Sequence, residues 1–337
     1  MGDRVLLTGI SGFLGGHIAL QLLAAGYEVR GSVRDLGKAG TVRASLAAAG
    51  ADPARLEIVA LDLLSDDGWA AAMAGVRYLQ HTASPFVLET PRDPQELIRP
   101  AVEGTRRAIT AALAAGVERV VLTSSLAAIQ YGHAPTERAF TEADWSDVTS
   151  PQIGAYATSK TLAEREAWRL MDAAGRHGDL AVINPGLILG PLLDADPGTS
   201  SMLVRRLLDG KLPAVPKLAM SVIDVRDVAA LQVDAMTNPP AGGQRCLAAV
   251  GTYTMREMGA MLRPAFPGRR VPTAELPRWL VRLVALFDRD VRDNLHEMDV
   301  VRRADGRRSS ARLGRPLIPA SEALIATGTS LVAHRLV

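Results

Sequence analysis

An apolar run, Val5-Leu6-Leu7, leads without a break into Thr8-Gly9-Ile10-Ser11-Gly12-Phe13-Leu14-Gly15, and apolar residues then recur at helical spacing at Ile18, Leu22 and Leu23 until Gly26 ends the pattern. A strand that turns through glycines into a helix aims backbone N–H groups and the positive end of the helix dipole at one point, where a pyrophosphate is held. Each glycine has its own task in such a turn. Gly9 makes the tight bend, Gly12 lets a ligand approach the backbone, and Gly15 lets helix and strand pack closely. Thr8, Phe13 and Leu14 flank them as further contact candidates. The spacing is G-x-x-G-x-x-G, distinct from G-x-G-x-x-G. Ordinary strand-to-helix turns are also glycine-rich at times, so the rest of the chain has to decide.

Beyond this turn, strand-like runs at 28–33, 56–61, 78–81, 120–123 and 181–184 alternate with helix-like segments, among them 107–115 before Gly116 and 157–174 before Gly175. That alternation predicts an α/β fold, a Rossmann-type doubly wound parallel sheet with crossover helices. After Pro185 the texture changes, with Pro191, Pro197, Gly198, Pro213 and Pro216 cutting the chain into short segments. An apolar segment at 221–236 and a strand-like one at 245–250 are expected to return to the sheet. The expected organisation is a nucleotide-binding domain over 1–185 plus about 221–250, and a smaller substrate lobe over 186–220 and 251–337. The prolines and methionines from Met202 to Met220 read as a mobile flap over the substrate.

Two positions bear on the nucleotide. In folds of this kind the end of the second strand meets the adenosine ribose, where a carboxylate accepts from a 2′-OH and repels a 2′-phosphate. Here the strand ends at Val33-Arg34, with no carboxylate at Val33. A guanidinium at Arg34 holds a phosphate bidentately and Lys38 adds a point charge, which favours NADPH/NADP; Asp35, adjacent, argues the other way. Asp62, at the end of the third strand before Leu63, is placed to meet the adenine amino group, or else to cap a helix.

The chemistry lies further on, in Tyr156-Ala157-Thr158-Ser159-Lys160, which opens a helix. At i and i+4 the two side chains share one face, so the ammonium lies near the phenol. A free tyrosine, with a pKa of about 10, is a poor base at neutral pH, and a neighbouring cation favours its phenolate. That tunes the phenol for proton transfer to and from a carbonyl oxygen. The fifth strand ends in Thr123-Ser124-Ser125, at the sheet edge where ligands bind, and a serine there orients a carbonyl and stabilises developing oxyanion charge.

Together the glycine turn and the Ser-Tyr-x-x-x-Lys set resemble the extended short-chain dehydrogenase/reductases. Val29-Arg30-Gly31-Ser32-Val33-Arg34-Asp35, His81-Thr82-Ala83-Ser84-Pro85, 184–191 (Asn-Pro-Gly-Leu-Ile-Leu-Gly-Pro), Asp224-Val225-Arg226-Asp227-Val228-Ala229 and Leu313-Gly314 narrow the resemblance to the dihydroflavonol 4-reductase and aldehyde reductase branch. It implies a monomer or homodimer that uses NADPH to reduce an aldehyde or ketone. By that resemblance Tyr156 is the general acid, Lys160 holds the nicotinamide ribose and lowers the tyrosine pKa, and Ser125, ahead of Ser124, bonds the substrate oxygen. Thr82 and Ala83 line the cofactor, and Pro185 with Leu187 packs near the nicotinamide. Flavonoid reductases carry an asparagine where this chain has Gln130, and aromatic residues are only 4% here, so a small hydrophobic carbonyl is expected in place of a flavonoid.

Composition excludes other classes. With 48% hydrophobic and 22% charged residues the chain reads as a soluble globular enzyme. Its best apolar stretch, 181–193, is interrupted by Asn184, Pro185, Gly186, Gly190 and Pro191, so no membrane span is expected. Asp3 and Arg4 ahead of a strand suit neither a signal nor a transit peptide, and a cytoplasmic location is expected. A net charge of +2 does not argue for nucleic acid, and Arg302, Arg303, Arg307, Arg308, Arg312 and Arg315 read as a solvated face. Cys246, the single cysteine, belongs in a buried strand. His81, His133 and His177 lack ligand spacing, so no metal is expected, and Glu142, Asp144 and Asp147 read as a charged loop. The competing functions on the same scaffold are a hydroxysteroid dehydrogenase, a nucleotide-sugar epimerase or dehydratase, and a non-catalytic NADP sensor.

Overall fold

The computed structural model describes residues 2–84, 93–286, 292 and 295–337. Pro85, part of the motif after the fourth strand, lies outside them. Strands β1 (Arg4–Thr8), β2 (Glu28–Val33), β3 (Leu56–Ala60), β4 (Tyr78–His81), β5 (Arg119–Thr123) and β6 (Leu180–Pro185) fall where the apolar runs predict. After β7 (Leu187–Leu189) and β8 (Ala219–Asp224), which lie elsewhere, comes β9 (Gln244–Ala248), and the seven-stranded sheet has the order β3-β2-β1-β4-β5-β6-β9. Every pair in it is parallel. A sheet of that kind is covered on both faces, which is why its strands are continuously apolar where a half-exposed strand would alternate.

Successive residues feed opposite cores. Val5, Leu7, Val121, Ala181 and Ile183 enter one cluster, while Leu6, Val120, Leu122, Leu180 and Val182 enter the other. The first face is covered by α1 (Phe13–Ala24) and α2 (Ala39–Ala48), the second by α3 (Trp69–Met73), α4 (Gln95–Ala114) and α5 (Ala155–Ala173). Cys246 lies on β9 and is buried, as expected.

The chain after Pro185 departs from expectation in three places. Only β9 returns to the main sheet; β8 instead forms a three-stranded sheet, parallel to β7 and antiparallel to β10 (Gly251–Thr254). Asp224 then caps α7 (Val225–Thr237), accepting from Arg226 N at 2.8 Å, and α7 packs beside α1. The 221–236 segment is therefore a strand and a helix of two different periods. Residues 202–220 are no loose flap: α6 (Gly198–Leu208) buries Val204, Leu207 and Leu208, and Val215 is fully buried too, in a third core closed by α8 (Met255–Leu262) and α11 (Ala320–Ala333). Beyond α9 (Arg278–Val284), on and around α10 (Arg307–Leu313), Arg303, Arg307, Arg308 and Arg315 are exposed, as expected of a solvated face, while Arg302 and Arg312 turn inward, Arg302 to Glu297 and Arg312 to Asp234 at 3.0 Å; Arg315 also pairs with the fully buried Asp227 at 2.7 Å. The charged loop holds: Asp144 is gripped by Arg138, which pulls its pKa down to about 2.

Candidate active site

Strand order reverses between β1 and β4, and at such a switch point the carboxyl ends of the strands open a crevice. Here a cleft of about 690 Å³ is lined by Thr8, Gly9, Gly12, Arg34, Lys38, Asp62, Leu63, Thr82 and Ala83 together with Ser11, Ser32 and Trp69. The Thr8 hydroxyl ties its two sides together. It accepts from Thr82 N and Ala83 N, both at 3.1 Å, and bonds His81 Nδ1 at 2.9 Å. Burial, with the Lys160 charge nearby, holds the His81 pKa down at about 4, so the imidazole is neutral.

The glycine turn fits a pyrophosphate. Gly9 has φ +74°, and a Cβ there would meet Ala83 backbone at 3.0 Å. At Gly15 a Cβ would lie 2.1 Å from Gly9 O, so α1 is seated on β1 too closely for any side chain. At Gly12, by contrast, a Cβ would touch only Gly9 O, at 3.4 Å, leaving the backbone open to the cleft. Gly15→Ala is accordingly expected to lower stability by about 1–3 kcal/mol through overpacking against backbone. Gly12→Ala is expected to melt like the parent but to lose dinucleotide affinity; thermal denaturation beside nucleotide titration separates the two. Phe13 and Leu14 put their side chains into packing, Phe13 against the third core and Leu14 against the first. What they offer a ligand is the free N–H groups of the first helical turn.

At the ribose end Arg34 and Lys38 are exposed, and among the described residues neither makes an ion pair. Asp35 is turned to local work, accepting from Gly37 N at 2.9 Å as the cap of a short 3₁₀ turn. Asp62 likewise accepts from Leu64 N at 2.9 Å.

Further along the sheet edge a second group gathers. β5 ends at Thr123, and the alternation of an extended chain sends Ser124 and Ser125 to opposite sides. Ser124 is buried and donates to Glu164 Oε2 at 2.5 Å. Ser125 bonds the Tyr156 side chain and accepts from Ala127 N at 3.1 Å. Of the two serines, Ser125 is the one beside the phenol. Lys160 Nζ lies 5.9 Å from the centre of the Tyr156 ring, on the same face of α5. The expected lowering of the tyrosine pKa by the lysine is not seen: desolvation raises it, against the smaller downward pull of the Ser125 bond. The ammonium itself is desolvated, which brings the Lys160 pKa down to about 8. Pro185 closes β6 and Leu187 opens β7, joined to the group through Asn184 Nδ2, which donates to Ser125 O at 3.3 Å.

Sequence reasoning missed what lies beneath. Glu164 is fully buried on α5 and receives Ser124, Asn184 Nδ2 at 2.7 Å and Arg245 Nε at 2.6 Å from β9. A carboxylate at an inward position of the helical period was the available signal. Among the described residues no three His, Cys, Asp or Glu side chains gather to hold a metal ion, and no helix is long and apolar enough to cross a membrane.

The chain is similar to cinnamoyl-CoA reductase CAD2 of Medicago truncatula, at 33% identity over 81% of this chain and 83% of that one. It is also similar to the ketoreductase azaE of Aspergillus niger, at 31% identity over 86% and 90%. Among solved structures, yeast methylglyoxal/isovaleraldehyde reductase Gre2 complexed with NADPH shares the fold with a TM-score of 0.83 over 98% of this chain and 99% of that chain, at 24% identity. The model of the NAD dependent epimerase/dehydratase family matches residues 5–250, spanning the glycine turn, the serine, the tyrosine–lysine pair and the whole main sheet. The chain therefore belongs to that family, the extended short-chain dehydrogenase/reductases, on their dihydroflavonol 4-reductase-like branch.

Proposed function

We propose that this chain is an NADPH-dependent reductase that converts a small hydrophobic aldehyde or ketone to its alcohol, reversibly, with Tyr156 as general acid. The observation that carries the reading is the Ser125–Tyr156 hydrogen bond beside Lys160, at the carboxyl edge of the sheet and next to the glycine cleft. Relatives named cinnamoyl-CoA reductase and ketoreductase, and a fold neighbour complexed with NADPH, support it. The nicotinamide, when bound, supplies the hydride. Arg34 and Lys38 hold the 2′-phosphate, and the Gly9–Gly15 turn holds the pyrophosphate. A carbonyl oxygen entering between the Ser125 and Tyr156 hydroxyls accepts from both. Burial keeps the phenol protonated well past neutral pH, which suits an acid that must arrive neutral and give its proton to an oxygen gaining charge. Lys160 holds the ribose hydroxyls and faces the phenolate that is left. Gln130 is buried, with its side chain bonded to the Tyr131 phenol. On this reading the nucleotide domain, expected as 1–185 plus about 221–250, is narrowed to 1–185 with 225–248, since β8 pairs in the small sheet, and the remainder shapes the substrate side.

The test is oxidation of NADPH and NADH against a panel of aromatic, aliphatic and α-keto carbonyls. Turnover preferring NADPH is expected. Tight nucleotide binding without turnover of any carbonyl would favour a sensor, and copurified NAD would favour a sugar-nucleotide enzyme.

A further inference from the structure

Under the tyrosine–serine–lysine group lies a charge cluster that the reduction chemistry above does not use. Glu164 is one helical turn beyond Lys160 and two beyond Tyr156, on the face of α5 turned to the sheet, with no exposed surface. Its two oxygens receive Ser124, the residue just past β5, Asn184 from β6 and Arg245 from β9. Arg245 is itself held by the Glu142 and Asp144 carbonyls at 2.8 and 2.5 Å and lies 3.9 Å over the Trp145 ring. One carboxylate thus fastens three strands to the helix that carries Tyr156 and Lys160. Its donors are neighbours of the reacting groups: Ser124 precedes Ser125, and Asn184 also donates to Ser125 O. An apolar contact anchors a helix at less cost than a buried ion pair, because two charges must be stripped of water to make the pair. The charge has a use where it stands.

We propose that Glu164 is a positioning residue for this site, its buried carboxylate locking α5 and the Ser124–Ser125 strand end in one register and standing one helical turn from the Lys160 ammonium. The proposal rests on the reductase reading for its consequence in turnover, but not for its physical content. The charged and titratable groups around the pair are Tyr156 on α5, His81 on β4 and Arg245 on β9. His81 is neutral at physiological pH, Tyr156 is held protonated, and Arg245 is paired with both oxygens of Glu164. Desolvation lowers the Lys160 pKa, and the Glu164 carboxylate, one helical turn away, acts on the ammonium through space in the opposite direction.

Only four lysines occur in the chain, at 38, 160, 211 and 217, and the other three are exposed, so ¹³C-lysine NMR isolates Lys160. In the full chain without nucleotide, Lys160 is expected to titrate at about 8. In Glu164→Gln, which keeps the shape and removes the charge, the midpoint is expected to fall by about one unit or more. The alkaline limb of NADPH-dependent carbonyl reduction should fall with it, and kcat should drop more than KM rises. Arg245→Met, which removes the competing cation, is expected to raise the midpoint. A Lys160 midpoint unmoved in Glu164→Gln, or in Arg245→Met if the first variant does not fold, would overturn the proposal. A wild-type chain that reduces no carbonyl refutes the reductase reading instead, and the NMR titration still decides the role of Glu164.

Discussion

Tyr156→Phe is expected to lower kcat for carbonyl reduction by roughly 10²–10⁴ while leaving NADPH binding intact. The substitution removes one oxygen. The ring remains on α5 under the Lys160 ammonium, and neither the glycine turn nor the Arg34 end of the cleft touches it. What is lost is the proton donor and the partner of the Ser125 hydroxyl. Because both bond the oxygen more strongly as charge develops there, kcat and kcat/KM should fall together with little change in KM. Steady-state rates with the best carbonyl of the panel, beside a fluorescence titration with NADPH, read the two quantities separately. Retained turnover would move the acid to another group, and lost nucleotide binding would make Tyr156 a structural residue.

Much of the fold is legible because a parallel sheet buried on both sides writes itself as short apolar runs. The predicted runs at 28–33 and 78–81 match β2 and β4 residue for residue. The Tyr156–Lys160 pair is legible because helical spacing alone puts i and i+4 on one face. What was not legible depends on contacts between residues far apart in the chain. The apolar segment at 221–236 contains both a strand and a helix, and only its pairing with Leu187–Leu189 shows where the first ends. The prolines at 191–216 suggest mobility, yet Val204, Leu207 and Leu208 sit at helical spacing and are buried by α8 and α11, which come much later in the chain. The direction of the Tyr156 pKa went the same way: sequence spacing shows the nearby cation, but desolvation is a property of everything packed around the phenol, and it is the larger cause. Glu164 was hidden for the same reason, since Arg245 lies 81 residues from it.

Arg34→Ala is expected to weaken NADPH binding about 10- to 100-fold and to leave NADH binding nearly unchanged. A guanidinium at the end of β2 adds charge-assisted hydrogen bonds to a 2′-phosphate, worth about 1.5–3 kcal/mol, and offers little to a 2′-hydroxyl. The structure favours a large effect at this position because nothing else claims the side chain: Arg34 is exposed at the cleft wall, without an ion pair among the described residues, and the carboxylate next to it is spent on Gly37 N. Lys38→Ala should cost less, since an ammonium on a flexible stem is a point charge with no bidentate geometry. Because the site is open to solvent, NADPH affinity in the parent should fall as salt rises, and the slope should flatten in Arg34→Ala. Calorimetric titration of both nucleotides at two ionic strengths measures all of this. Equal losses for NADPH and NADH would place Arg34 on the adenosine or pyrophosphate they share, and the preference for the phosphorylated cofactor would then have to come from Lys38 or from the backbone of the turn that Asp35 caps.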